Sequence, residues 1–147
     1  MKKLLVIGLI SSFFSAGAYA AACTTGGGAQ AAGSATTPVT GEQCVCNGGA
    51  AIKSTVNGGS GTVITTPIFV KNGFNVQCSA NTLVSYNEVS GTAFAVASGS
   101  MKGNQSFAGS SNGGAVTTSA KCTGTNSACT AGDVSTANAA ATTASSS

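Results

Sequence analysis

Cys23, Cys44, Cys46, Cys78, Cys122 and Cys129 are the most reactive side chains in this sequence. Cys44 and Cys46 stand one residue apart in the stretch EQCVCNGG, ahead of a glycine pair. Three chemistries are open to such a set. Thiolates can grip zinc or copper, but the chain has no histidine and lacks the usual Cys-x-x-Cys spacing. A redox dithiol needs a cysteine whose pKa is lowered by a helix start or nearby cations, and none of the six has such surroundings in the sequence. An even set of cysteines in an exported chain otherwise reads as a disulfide framework.

The pairing is open at this level, yet geometry narrows it. Residues two apart in an extended chain have little room for normal disulfide torsions, so Cys44 and Cys46 are expected to reach different partners. In a regular strand they would share a face. Cys122 and Cys129 flank TGTNSA, a polar stretch suited to a loop closed at its neck. If those two pair, Cys23 and Cys78 are left for Cys44 and Cys46, which ties the N-terminal segment onto the sheet. Cys23 has a rival reading as the acylated cysteine of a lipoprotein signal. Ala20 stands where a leucine is usual there, so a disulfide is the expectation.

The remaining residues exclude much chemistry. Without histidine no Ser-His-Asp or Cys-His arrangement can be built. Glu42, Glu88 and Asp133 are the three carboxylates, so a glycosidase pair would have to unite Glu42 with Glu88. The stretches TGGG (25–28) and GSGT (59–62) lack the lysine of a phosphate loop. Asn104-Gln105-Ser106 fits a glycosylation acceptor, as a single match. Lys53, Lys71, Lys102 and Lys121 are scattered and read as solubilising or edge-protecting charges. No enzyme activity, cofactor or metal is expected.

Charged residues make up 6% of the chain, against about 25% in ordinary proteins. There is no basic stripe for phosphates, so nucleic acid is not an expected partner. Solubility must come from Ser, Thr, Asn, Gln and exposed backbone, a bias common in secreted fibres, adhesins and matrix proteins.

The elements that must position the cysteines begin after a secretory signal. Lys2 and Lys3 precede an apolar run, and Ala18-Tyr19-Ala20 supplies a cleavage site, so residues 1–20 read as a signal peptide. The protein is thus expected outside the cell or on its surface, in the periplasm only in transit, and without stable membrane insertion once cleaved. Residues 21–50 form a Gly/Ala/Thr-rich segment holding three of the cysteines. Residues 51–130 carry most of the large apolar side chains and are expected to be the β-rich domain. Residues 131–147 read as a flexible Ala/Ser/Thr tail, with a short helix open to it.

Strand signals recur through the core segment. TVITTPIFV (62–70) and FNVQC (74–78) flank Asn72-Gly73, which predicts a two-residue hairpin. That register collects Phe69, Phe74, Val76 and Cys78 on one face. Further candidates are AAIKSTV (50–56), TLVSY (82–86), TAFAVAS (92–98), QSFAG (105–109) and AVTTSA (115–120), separated by glycine-containing turns. Phe94 and Val96 would share the buried face with Phe69, Phe74 and Val76. The pattern predicts a mainly β fold, a small antiparallel β-sandwich or barrel stapled by disulfides. A small β-solenoid is the alternative, although no fixed internal period supports it.

Size, export signal, disulfides and strand-rich pattern resemble bacterial fimbrial subunits in architecture, though the chain lacks the final strand with an aromatic near its end that many of them carry. The sequence therefore points to a non-enzymatic structural or adhesive protein that associates with itself, a filament or matrix subunit joined by strand addition. The alternative is a monomeric binding module for glycan, protein or another surface such as ice.

Overall fold

The computed structural model describes residue 23 and residues 41–56, 69–113 and 115–146. The expected signal peptide, most of the Gly/Ala/Thr-rich segment and the expected strand 62–70 as far as residue 68 lie outside the described residues.

Among the described residues, seven short segments bounded by turns form strands. These are β1 (Glu42–Asn47), β2 (Ile52–Val56), β3 (Phe74–Cys78), β4 (Thr82–Glu88), β5 (Phe94–Ser100), β6 (Gln105–Ser110) and β7 (Thr117–Lys121). All pairings are antiparallel. Five strands make one sheet in the order β1-β4-β5-β6-β7, and β2 pairs with β3 in a second. The fold is mainly β and sandwich-like, and the larger sheet does not close into a barrel.

The chain order explains the topology. Strands β4 to β7 follow one another as a meander through tight polar turns. Gly103 N–H bonds Ser100 O at 2.8 Å after β5, and Gly113 takes φ 101° after β6. Strand β1 comes first in sequence and closes the far side of β4.

The two faces of the large sheet have different covers. One is covered by helix α1 (Ala131–Ser145). Ala95, Ala97 and Ala108 meet Val134, Ala137 and Ala141 there, together with Leu83 and the Cys23–Cys44 bridge. The other face carries the β2–β3 pair at the β1/β4 end, around Val45, Val56, Val70, Cys78 and Tyr86.

Helix α1 corrects the expectation of a flexible tail. Thr130 caps it: its hydroxyl accepts from Asp133 N–H, and the Asp133 carboxylate accepts from Thr130 N–H in return. That reciprocal box satisfies two of the donors a helix start leaves orphaned. Val134, Ala137, Asn138, Ala141 and Ser145 then recur at helical spacing on the buried side. Asn138 is buried with its needs met, since its amide donates to Ser85 Oγ at 3.2 Å and its oxygen accepts from Thr142.

Three further expectations change. Strand β1 lies inside the segment set apart as 21–50, yet it is a buried member of the main sheet. Strand β3 takes β2 as its partner, with Ile52 opposite Cys78 and Val56 opposite Phe74; Asn72 and Gly73 are not in the positive-φ conformation of the predicted hairpin turn. On β5 the buried set is Ala95, Ala97 and Gly99, continued by Ala93 just before the strand, while Phe94 and Val96 are half-buried. The reason is the helix. Alanine against alanine lets α1 approach closely, and a Cβ on Gly99 would sit 3.0 Å from Val134 Cγ2.

Candidate functional site

All six cysteines are in bridges: Cys23–Cys44, Cys46–Cys78 and Cys122–Cys129, with Cα separations of 4.8, 5.5 and 4.6 Å. These are ordinary spans for a disulfide. No thiol remains to act as nucleophile or ligand. Cys44 and Cys46 do reach different partners, but they do not share a face. The ladder shifts register between them, so Cys44 lies opposite Ser85 and Cys46 opposite Val84. This bulge at Val45 turns Cys44 toward α1 and Cys46 toward the β2–β3 layer. A bulge inserts one residue and so inverts the alternation of faces.

The carboxylates are also tied into the fold, although Glu42 Oε1 is buried with no hydrogen-bond partner among the described residues. Glu42 pairs across the ladder with Asn87, and Glu42 Oε2 accepts from Ser135 Oγ on α1. Asn87 likewise bonds Thr142 on that helix. Glu88 is one residue further along β4 and opposite Phe94. Glu88 Oε2 accepts from Phe69 N–H at 2.9 Å, in the opposite layer. Glu42 and Glu88 are thus close along the backbone but serve different faces of the sheet. Asp133 accepts from Thr123 N–H and Oγ1 as well as from Thr130. Burial raises its pKa, and these hydrogen bonds outweigh that and hold the carboxyl below its ordinary value.

An aromatic stack fills the β2–β3 side. The Phe69 and Phe94 rings are 5.2 Å apart and the Tyr86 and Phe94 rings 5.3 Å, both near parallel. Burial and the neighbouring Glu88 charge push the Tyr86 phenol up to about 12. Phe74 does not join this cluster: it is 47% exposed.

The surface that stays open lies at the other end of the sheet. All five residues of β7 are exposed, and among the described residues its outer edge pairs with nothing. The preceding Ala115 and Val116 are exposed too, Val116 to 69%. On the helix side this edge borders a shallow groove of about 180 Å³ lined by small side chains, including Ala108, Thr117, Ser119, Ala140 and Ala144. On the other side Val116 rests over Gly109, where a Cβ would come within 3.1 Å of it. Phe107 is opposite Thr118 there and is 40% exposed.

A second surface feature is the loop closed by Cys122–Cys129. Asn126 and Ser127 in it have φ of 55° and 62°, uncommon for residues with a side chain. Asp133 ties the base of this loop to α1.

No protein-family model, curated protein or solved structure matches the chain. What the geometry offers as a candidate site is an exposed, unpaired sheet edge. Of the residues singled out in the sequence, the structure joins the six cysteines in pairs and places Lys121 at the end of the open edge. Sequence reading missed Thr130 and Asp133 as a cap, although Thr-x-x-Asp ahead of an alanine run is a signature of one. It also missed the role of Gly109 in seating Val116, which no local pattern announces.

Proposed function

We propose that this protein is a secreted or cell-surface structural or adhesive subunit, non-enzymatic, that associates with itself. The observation that carries the reading is the open β7 edge. From Ala115 to Ala120 it is exposed and uncharged, whereas the other end of the main sheet, β1, is almost wholly buried. An unpaired strand edge is a template for another chain, and main-chain hydrogen bonds give such joining affinity with few side-chain demands. Three disulfides fit an oxidising compartment outside the cytosol. Among the described residues no helix is long and apolar enough to cross a membrane.

Sedimentation velocity over a concentration series, with electron microscopy of the same purified oxidised protein, tests this. Association that grows with concentration is expected. Monomers throughout, with no fibres, would overturn it.

The Cys122–Cys129 loop favours a second reading, a monomeric binding module. Exposed Thr125, Asn126 and Ser127 form its tip, and backbone held in sparsely populated regions tends to cluster at functional sites. A glycan array in which the wild type binds and a variant with all three tip residues changed to alanine does not would support it.

A further inference from the structure

We infer that β7 is the seam at which two copies of this chain join, antiparallel and about a two-fold axis at Thr117, into one continuous sheet. The inference rests on the self-association reading and assigns it a surface and a register.

Edge residues decide the direction. Lys121 is the one charge on β7, and the ladder to β6 shifts register between Ser106 and Phe107, leaving a bulge near Ser119. A terminal lysine and a bulge both discourage pairing, and both lie at the C-terminal end of the strand. The stretch Ala115 to Thr118 is left unguarded. A parallel in-register pair would set the two Lys121 residues on adjacent strands, about 5 Å apart. An antiparallel pair centred on Thr117 sends them to opposite ends. Each lies four positions from the axis, so at about 3.3 Å per residue roughly 26 Å separates them. That is well beyond the Debye length of about 8 Å at physiological salt.

The same register matches side chains. Thr117 lies across from Thr117 of the second copy, and Val116 from Thr118 of the second copy. Pairs of β-branched residues directly across a ladder are favourable. Val116 is 69% and Phe107 40% exposed in a single chain. Phe107 is on β6 opposite Thr118, so each Val116 would face Thr118 of the other copy directly, with Phe107 of that copy one strand further on, about 10 Å away on the same face. The apolar side chains of the two copies then lie in one row across the seam, on a single face of the continuous sheet.

The test is a charge-swap pair at the axis. Thr117 is exposed, so Thr117→Lys and Thr117→Glu should leave the melting temperature of the oxidised protein almost unchanged. Like charges directly opposite one another are destabilising. Each variant alone should therefore raise the dimer dissociation constant at least about tenfold in sedimentation equilibrium, while an equimolar mixture of the two restores a dimer. If the wild type associates and neither variant weakens it, the seam is elsewhere and the self-association reading stands. If the wild type is monomeric, both fall. A mixture that fails to recover association also overturns the two-fold register.

Discussion

Cys44 lies opposite Ser85 and Cys46 opposite Val84, so two cysteines one residue apart anchor opposite layers of the protein. Val45 is the pivot. The first bridge secures the segment at Cys23 beneath α1, and the second secures the β2–β3 pair to the main sheet. Strand β1 is the shared post for both.

Removing those bridges singly should have unequal effects. Cross-links closing longer loops constrain the unfolded chain more. The Cys46–Cys78 bridge spans 32 residues and Cys122–Cys129 spans 7. Replacing both partners by alanine is expected to cost about 3.7 kcal/mol for the first and about 2.4 kcal/mol for the second. Urea denaturation of the two double variants measures the difference, and the reverse order would contradict it.

Phe94 is the middle ring of the stack, whereas Phe74 projects from β3. Phe94→Ala should cost about 2–3 kcal/mol, somewhat below the 3–5 kcal/mol of a fully buried phenylalanine. Phe74→Ala should stay within about 0.5 kcal/mol, as surface changes do. Thermal unfolding with near-ultraviolet circular dichroism reports both, since only the first should lose aromatic signal.

Ser127 carries a side chain at φ 62° directly after Asn126 at φ 55°. Glycine occupies that conformation freely, and a β-branched residue is a genuine outlier there. Ser127→Gly is therefore expected to be neutral or slightly stabilising, and Ser127→Val to destabilise by about 1–2 kcal/mol. Equal melting temperatures for the two variants would count against the strained backbone.

Tyr86 should make the fold sensitive to alkali. Its phenol is raised by burial and by Glu88 to about 12, while an unfolded tyrosine titrates near 10. The neutral form is favoured in the folded state. That contribution is fully present below about pH 10 and is lost as pH climbs from there toward 12. Once residues 1–20 are removed Tyr86 is the one tyrosine, so ultraviolet titration of that chain follows it directly, and Tyr86→Phe should flatten the alkaline loss of stability.

Thr130→Ala should cost about 1 kcal/mol by removing the helix cap. Asp133, held below its ordinary pKa, contributes stability that is present above about pH 4 and lost as pH falls through its folded value. An acid-side melting series on wild type and Asp133→Asn checks the direction, because the variant should lose that dependence.

Strand existence was legible in the sequence where short apolar or aromatic-containing runs met turn residues, as in Thr82–Glu88 and Phe94–Ser100. Part of the disulfide pairing was legible, because Cys44 and Cys46 have little room to bond each other and Cys122 and Cys129 flank a short loop; which of Cys23 and Cys78 each of the first two takes was not. Helix α1 was not, since Val134 is its one large apolar side chain and its buried stripe is otherwise Ala, Asn and Ser. A stripe of small residues packs well against alanines on β5 but gives almost no hydrophobic contrast. The Asn72-Gly73 turn was misread, since neither residue takes positive φ and Phe69 to Lys71 carry no strand; the pairing of β3 with β2, beside the Cys46–Cys78 bridge, is set by contacts distant in sequence that a local turn preference does not report. The bulge at Val45 left no mark in composition. It decides where both neighbouring sulfurs go.

That shared post also sets how the chain would respond to pulling. With both bridges intact, the chain from Cys23 to Cys44, a separation of 21 residues, and from Cys46 to Cys78, a separation of 32, cannot pay out under tension. At about 3.3–3.6 Å per residue, roughly 180 Å of contour length is withheld. A tug on the Cys23 end passes through a sulfur bridge into β1, across Val45, and through the second bridge into Cys78, with only short stretches of backbone in the load path. Oxidised, the first half of the molecule is a nearly inextensible link. Reduced, it becomes a slack tether.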